Sequence, residues 1–161
     1  MNELNKVDIE NREQNYKYMV YAIKDQFENE KDLIANLSNA SAIIKFYIDD
    51  CNWAGFYLNK EDTLVLGPFQ GLPACIRIPS GRGVCGTAFK EKKVHRVFNV
   101  HEFEGHIACD GASNSEIVLP IIDKNSNVFG VLDIDSPSIG RFTELEEKYL
   151  IQVVKVIEEN L

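Results

Sequence analysis

Apolar residues recur along the chain with two different periods, and the change of period divides it into elements. Tyr16, Met19, Val20, Ile23 and Phe27 fall at helical spacing and predict an amphipathic helix, preceded by a polar lead-in over residues 1–14. After the charged break Glu28–Asp32, a second stripe of Leu33, Leu37, Ala40, Ile44 and Ile48, with Ile34 and Ser41 alongside, predicts another helix, ended by Asp49-Asp50-Cys51-Asn52. The period then shortens. Trp53–Leu58 and Thr63–Gly67 read as strands joined by a turn at Asn59–Asp62. In the first of these, Trp53, Gly55 and Tyr57 share one face, and Ala54, Phe56 and Leu58 the other.

From Gly67 to Gly86 the chain is rich in Gly and Pro, which disfavours a long regular element. A short helix is expected from Gly83 to near Lys92, then a brief strand at Val94–Val97 and a polar connection over Asn99–Glu104. Ser115–Ile122 and Val128–Asp135 form an expected hairpin. Phe129, Val131, Asp133 and Asp135 share one face of its second strand, and Gly130, Leu132 and Ile134 the other. Thr143-Glu144-Leu145-Glu146 carries the capping-box pattern that starts a helix, with Leu145, Tyr149, Val153, Val156 and Ile157 as its buried stripe. This order of elements predicts one α+β domain, an antiparallel sheet with helices packed on it.

Composition narrows the function. The 161 residues suit a single domain with its own core. A net charge of −8 argues against non-specific nucleic-acid or anionic-membrane binding. Neither a secretory leader nor an apolar run of membrane-spanning length is visible, so a cytoplasmic location is expected. In that compartment the four cysteines are normally reduced, which leaves packing, metal binding or redox chemistry for them.

The stretch Gly105–Glu116 concentrates the candidate chemistry. Cys109 lies in a loop of small residues, and Glu116 opens the apolar run Ile117–Ile122. Asp133 and Asp135 stand two apart in a strand where carboxylates are costly to bury unpaired. Hairpin register decides whether they meet Glu116. If Ile122 pairs with Asn127, Glu116 lies opposite Asp133; if Asp123 pairs with Val128, it lies opposite Asp135. An Ile122–Val128 pairing would put it opposite Ile134, and we expect one of the first two.

Three chemistries compete. A zinc site is poorly supported, because only His106 and Cys109 are closely spaced. Cys109 with His106, His101 or His95 as base would allow acyl transfer. Redox chemistry accounts for more: Cys75, Cys85 and Cys109 all fall in Gly-rich loop sequence, where reactive thiols can meet and exchange. Cys51 reads as structural. Trp53 and Tyr57 either pack a core or wall a small-molecule pocket.

Four motifs together carry a resemblance: Arg77-Ile78-Pro79 with Gly81–Gly86, Gly105–Asp110, Ser115–Pro120 and Gly130–Ser136. Over Tyr16 to Ile157 the chain resembles the free methionine-(R)-sulfoxide reductases, enzymes built on a GAF-type domain. The resemblance implies a GAF-like fold with the N- and C-terminal helices on one face of the sheet. It implies that Cys109 attacks the sulfoxide, that Cys75 is the main resolving thiol and that Cys85 is a second or recycling one. It also implies that Glu116, Asp133 and Asp135 hold the substrate and assist protonation, with Trp53 and Tyr57 as pocket wall. Thioredoxin would be the reductant, with no resident cofactor and no metal. Three carboxylates in one pocket would keep one of them protonated near neutral pH, and the ionised ones would attract the α-ammonium of a free amino acid. A non-catalytic ligand-sensing module and a thiol-based oxidant sensor are the alternatives. The first and last helices are candidates for a homodimer face.

Overall fold

The computed structural model describes residues 4–6, 11–105 and 111–161. Helix α1, Arg12–Asn29, starts where the Asn11 side chain accepts from the Gln14 amide at 3.1 Å. The polar lead-in therefore ends at residue 11 rather than 14. Arg12 and Glu13 are helical because α4, Glu144–Glu159, holds them: Arg12 pairs with Glu146, and Glu13 accepts from Tyr149 and Lys148. Asp32 caps α2, Leu33–Tyr47, by accepting from the Ala35 amide at 2.8 Å. No helix among the described residues is long and apolar enough to cross a membrane.

Among the described residues six strands make one sheet in the order β3-β2-β1-β6-β5-β4, every neighbouring pair antiparallel. They are β1 (Trp53–Lys60), β2 (Thr63–Gln70), β3 (Arg77–Pro79), β4 (His95–Val97), β5 (Ser115–Ile122) and β6 (Val128–Ser136). Strand β2 runs three residues past Gly67, where the expected strand stopped. A register irregularity opposite β1, between the Gly55 and Tyr57 pairings, takes up Gly67 and Pro68. Helix α3, Gly83–Glu91, closes in the left-handed conformation at Lys92.

The sheet separates two cores. One face, with Ala54, Phe56, Ile117, Leu119, Leu132 and Ile134, packs against α1, α2 and α4. The other face, with Trp53, Tyr57, Val118 and Val131, packs against α3. The alternation expected for β1 is thus the one observed. Glu146, 1 % exposed, ties the helical layer together by accepting from Tyr16 at 2.7 Å, Arg141 at 3.0 Å and Arg12 at 3.1 Å. Burial pushes its pKa up, but hydrogen bonds from Thr143, Tyr16 and Arg141 outweigh burial and hold it at about 2.

The β5–β6 hairpin reaches the expected facing by an unexpected route. Ile122 does pair with Val128, the pairing that would misplace Glu116. The next pair, however, is Ile121 with Gly130, so Phe129 is an extra residue on β6. The bulge shifts the ladder by one, and Glu116 pairs with Asp135. Phe129 consequently leaves the face assigned to it: it packs with the helical-layer core, while Val131 stays on the α3 side. Glu158 of α4 accepts the Ile122 amide at the irregularity, at 2.7 Å.

Candidate active site

Three elements converge on the α3 side of the sheet. In β5–β6, Glu116 pairs with Asp135 and Val118 with Asp133, so Glu116 and Asp133 are diagonal neighbours on one face. Strand β1 brings Gly55 opposite Asp133. Helix α3 lays its first turn across the two acids and delivers Cys85. Gly86 lets α3 fold back tightly on the end of β3, since a Cβ there would come within 2.4 Å of the Pro79 carbonyl. Cys85 Sγ and the carboxylates of Glu116 and Asp133 all lie within 4.8 Å of one another, at 4 %, 6 % and 6 % exposure. The Cys85 thiol donates to Glu116 Oε1 at 3.8 Å, Glu116 and Asp133 share a hydrogen bond, and Asp133 Oδ1 is buried with no partner.

Burial and mutual repulsion decide which of these groups carry charge. Desolvation, then the charges of Asp133 and Asp135, push Glu116 well above the usual carboxylate range. Asp133 is also raised by desolvation, but hydrogen bonds from Cys85, Glu116 and the Ile134 amide limit it to about 6. The Cys85 thiol is pushed well up by burial and by both acids. Burial thus makes Glu116 and the Cys85 thiol hold their protons more tightly than exposed groups would, and Asp133 is the acid whose hydrogen bonds favour its charge. The same three donors could close around a cation only by giving up those two protons.

Trp53 and Tyr57, each 1 % exposed, belong to the core that runs up to this cluster. Burial and the Asp133 charge hold the Tyr57 phenol above its ordinary pKa. Trp53 Nε1 donates to the Leu72 carbonyl at 3.1 Å. Sequence reasoning missed Phe69, whose ring stacks on Trp53 at 5.2 Å and 14°. Gly55 is the space that permits the stack, since a Cβ there would stand 2.3 Å from Phe69 Cβ. The extension of β2 past Gly67-Pro68 hid Phe69; its place two residues before Gly71 was the available signal.

The thiols divide differently from expectation. Cys85 is not on an exposed loop: it is a free thiol buried in α3, because α3 seals the acid-bearing face. Cys75 is half-buried and disulfide-bonded. With Cys85 free, a Cys75–Cys85 bridge is excluded here. Cys51 is free, donates to the Trp53 carbonyl at 3.1 Å and is raised to about 12 by burial, as suits a structural thiol. Cys109 and His106 lie outside the described residues. Asp135 shares the acidic face and is half-buried. His95 pairs with Glu91 and His101 with Asn114, outside the Cys85–Glu116–Asp133 cluster.

Downstream of residue 110 the chain is pinned where it enters β5, another feature sequence reasoning missed. Asn114 donates through its backbone to Ser136 and through its side chain to Pro137, its carbonyl accepts from Val100, and Ser113 accepts from Asn52.

Comparison with known proteins adds to this geometry. The family model for the GAF domain matches residues 32–161. A protein of Escherichia coli named free methionine-R-sulfoxide reductase is 58% identical over 132 residues, 82% of this chain and 79% of that one. The free methionine-R-sulfoxide reductase of Neisseria meningitidis, solved in complex with its substrate, superposes with a TM-score of 0.91 at 37% identity, covering 99% of this chain and 94% of that one. The fRMsr of Staphylococcus aureus in its reduced form gives a TM-score of 0.88 at 45% identity, over 100% and 99% of the two chains.

Proposed function

The chain belongs to the GAF-domain family, among its free methionine-R-sulfoxide reductases, and on that premise we propose that it reduces free L-methionine-(R)-sulfoxide to methionine through its cysteines. One observation carries the reading: Glu116, Asp133 and the Cys85 thiol buried within 4.8 Å of one another, with the Glu116 carboxyl pushed toward its protonated form by burial and the neighbouring acids, on the face of the sheet shared by Trp53 and Tyr57.

In this mechanism the Cys109 thiolate attacks the sulfoxide sulfur. The S=O bond is drawn toward a proton as its electrons move to oxygen, and Glu116 is the acid positioned to supply it. With a second proton from solvent the oxygen leaves as water, and Cys109 is left bonded to a sulfonium sulfur. Water then attacks the Cys109 sulfur, that S–S bond breaks, methionine leaves with the electron pair, a proton is released, and Cys109 is a sulfenic acid. The Cys75 thiol then attacks the sulfenic sulfur, expelling water and forming a disulfide, and the oxidised state of Cys75 supports this resolving role. Two electrons from thioredoxin return both sulfurs to thiols, so no resident cofactor is required. Asp133, with Oδ1 unpartnered, and Asp135 receive the substrate ammonium. A peptide-bound methionine lacks that ammonium, which gives preference for the free amino acid. Trp53 and Tyr57 back the thioether chain. Cys85, buried and protonated, serves as donor to Glu116 before it serves as a second thiol.

The test is NADPH consumption coupled through thioredoxin reductase and thioredoxin with free methionine-(R)-sulfoxide. Turnover is expected for wild type and none for Cys109→Ser. Wild-type turnover by Cys109→Ser overturns the reading. Glu116→Gln separates a reductase from an oxidant sensor: turnover should fall at least ~100-fold, the usual scale for a general acid, while peroxide oxidation of the thiols continues.

A further inference from the structure

Although the chain carries a net charge of −8, its segment from Thr63 to Lys90 contains no Asp or Glu. Its charged residues are Arg77, Arg82 and Lys90, all exposed and none in an ion pair among the described residues. The Lys90 ammonium folds back toward Gly81, ending 3.7 Å from where a Cβ would stand there, which brings it to the turn that carries Arg82. Strand β3, the outermost strand, begins at Arg77, and the Arg82 amide donates to the Pro79 carbonyl at its other end, so the two arginines bracket that edge of the sheet. The sheet's nearby acids, Glu61 and Asp62, sit in the β1–β2 turn at the Pro79 end of β3, away from Cys75.

At the other end of the same edge, Leu72 and Ile76 flank the disulfide-bonded Cys75 and are 64 % and 71 % exposed. Their backbones are fixed. The Leu72 carbonyl accepts from Trp53, and the Ile76 carbonyl accepts from the Leu66 amide at 2.9 Å. Two large aliphatic side chains are thus held in water on either side of a disulfide, beside the cationic stretch of an acidic protein.

We propose that this edge is the docking surface for the protein dithiol that reopens the Cys75 disulfide, an acidic protein of the thioredoxin type. Its apolar rim seats on Leu72 and Ile76, and its carboxylates meet Arg77 and Arg82. The proposal rests on the reductase reading above. In the exchange, a thiolate of the partner attacks one sulfur of the disulfide; the S–S bond breaks as a mixed disulfide forms, and the released enzyme thiolate takes up a proton. The second partner thiolate attacks the mixed disulfide and frees the other enzyme sulfur, which is protonated in turn. The partner ends as a disulfide, having supplied two electrons and two protons.

The experiment compares thioredoxin with dithiothreitol as reductant for the full chain and two surface variants. Leu72→Ser with Ile76→Ser should raise the KM for thioredoxin about tenfold, the scale of a lost apolar anchor, with dithiothreitol-driven turnover unchanged. Arg77→Glu with Arg82→Glu should cut kcat/KM for thioredoxin about tenfold at low ionic strength, and the deficit should shrink as salt is added. Thioredoxin kinetics equal to wild type in both variants overturn the docking surface while leaving the reductase reading intact. Equal losses with both reductants also overturn it, because the residues would then serve the site and not a partner. Concentration-dependent self-association abolished by the same substitutions assigns the edge to a second copy and likewise overturns the proposal. If wild type turns over with neither reductant, the reductase reading itself fails, and the proposal with it.

Discussion

Replacing Asp133 by Asn should stabilise the protein at neutral and alkaline pH while destroying its activity. Burial raises the Asp133 pKa from 3.8 to about 6. A carboxyl that binds its proton more tightly when folded contributes stability that is present below its unfolded pKa and is lost as pH rises through the folded value. Each pKa unit is worth about 1.4 kcal/mol, so two units make about 3 kcal/mol, of which about 2 kcal/mol is lost between about pH 4 and about pH 8. The neutral amide keeps the shape and never ionises. Removing the Asp133 charge also relieves Glu116, whose pKa it raises, so the gap between the proteins widens further in the same direction. The assay is urea unfolding of oxidised wild type and Asp133→Asn at both pH values. Relative to wild type, the variant should gain about 2 kcal/mol on going from the acidic to the alkaline condition, or roughly 4–8 °C in Tm for a chain of this size. A difference that stays constant with pH, or that moves against the variant as pH rises, refutes the account of a carboxylate whose burial outweighs its hydrogen bonds.

Other expectations follow from named contacts. Gly55→Ala should cost about 1–3 kcal/mol by forcing Phe69 off Trp53, seen as a lower urea midpoint together with a raised KM for the sulfoxide. Glu146→Gln should cost about 3–5 kcal/mol, because it removes the charge of a buried carboxylate that half-buried Arg141 is paired with; urea unfolding measures this, and kcat of the folded enzyme should change little. Native oxidised protein treated with iodoacetamide near neutral pH should be unmodified at Cys51 and Cys85, whose thiols burial keeps protonated, and both should alkylate on denaturation, as read by mass spectrometry.

Much of this was legible in the pattern of residues. The helical stripes, the capping box at Thr143 and the split of β1 into two faces need only periodicity, and each packs as expected except Ile34, which faces solvent at 54 % exposure. The meeting of Glu116, Asp133 and Asp135 on one face was legible as well, because a two-residue period leaves few registers. What was not legible arose from single inserted residues and long-range packing. Nothing about Phe129 in isolation says that it bulges; the Ile122 amide at the irregularity is taken by Glu158, 29 residues later than Phe129. Gly67-Pro68 suggests a strand end, yet a bulge lets β2 continue and deliver Phe69. The Gly-rich surroundings of Cys85 suggest an exposed loop, but glycine there permits a helix to approach the sheet closely enough to bury the thiol. Composition reports that a backbone can bend or approach; it does not report which.

The Phe129 bulge has a consequence for how this protein can vary. In strand β6 even and odd positions belong to different worlds, oily on one side and proton-handling on the other, and a one-residue slip would exchange them wholesale. Because Glu158 latches the chain at the end of β5, the phase of the acids is set there and not by the number of residues in the Asp123–Asn127 turn. That turn is free to lengthen or shorten over evolutionary time without moving a carboxylate, whereas ironing the bulge out by pairing Phe129 with Ile121 would drive Asp133 and Asp135 into the grease beneath α4.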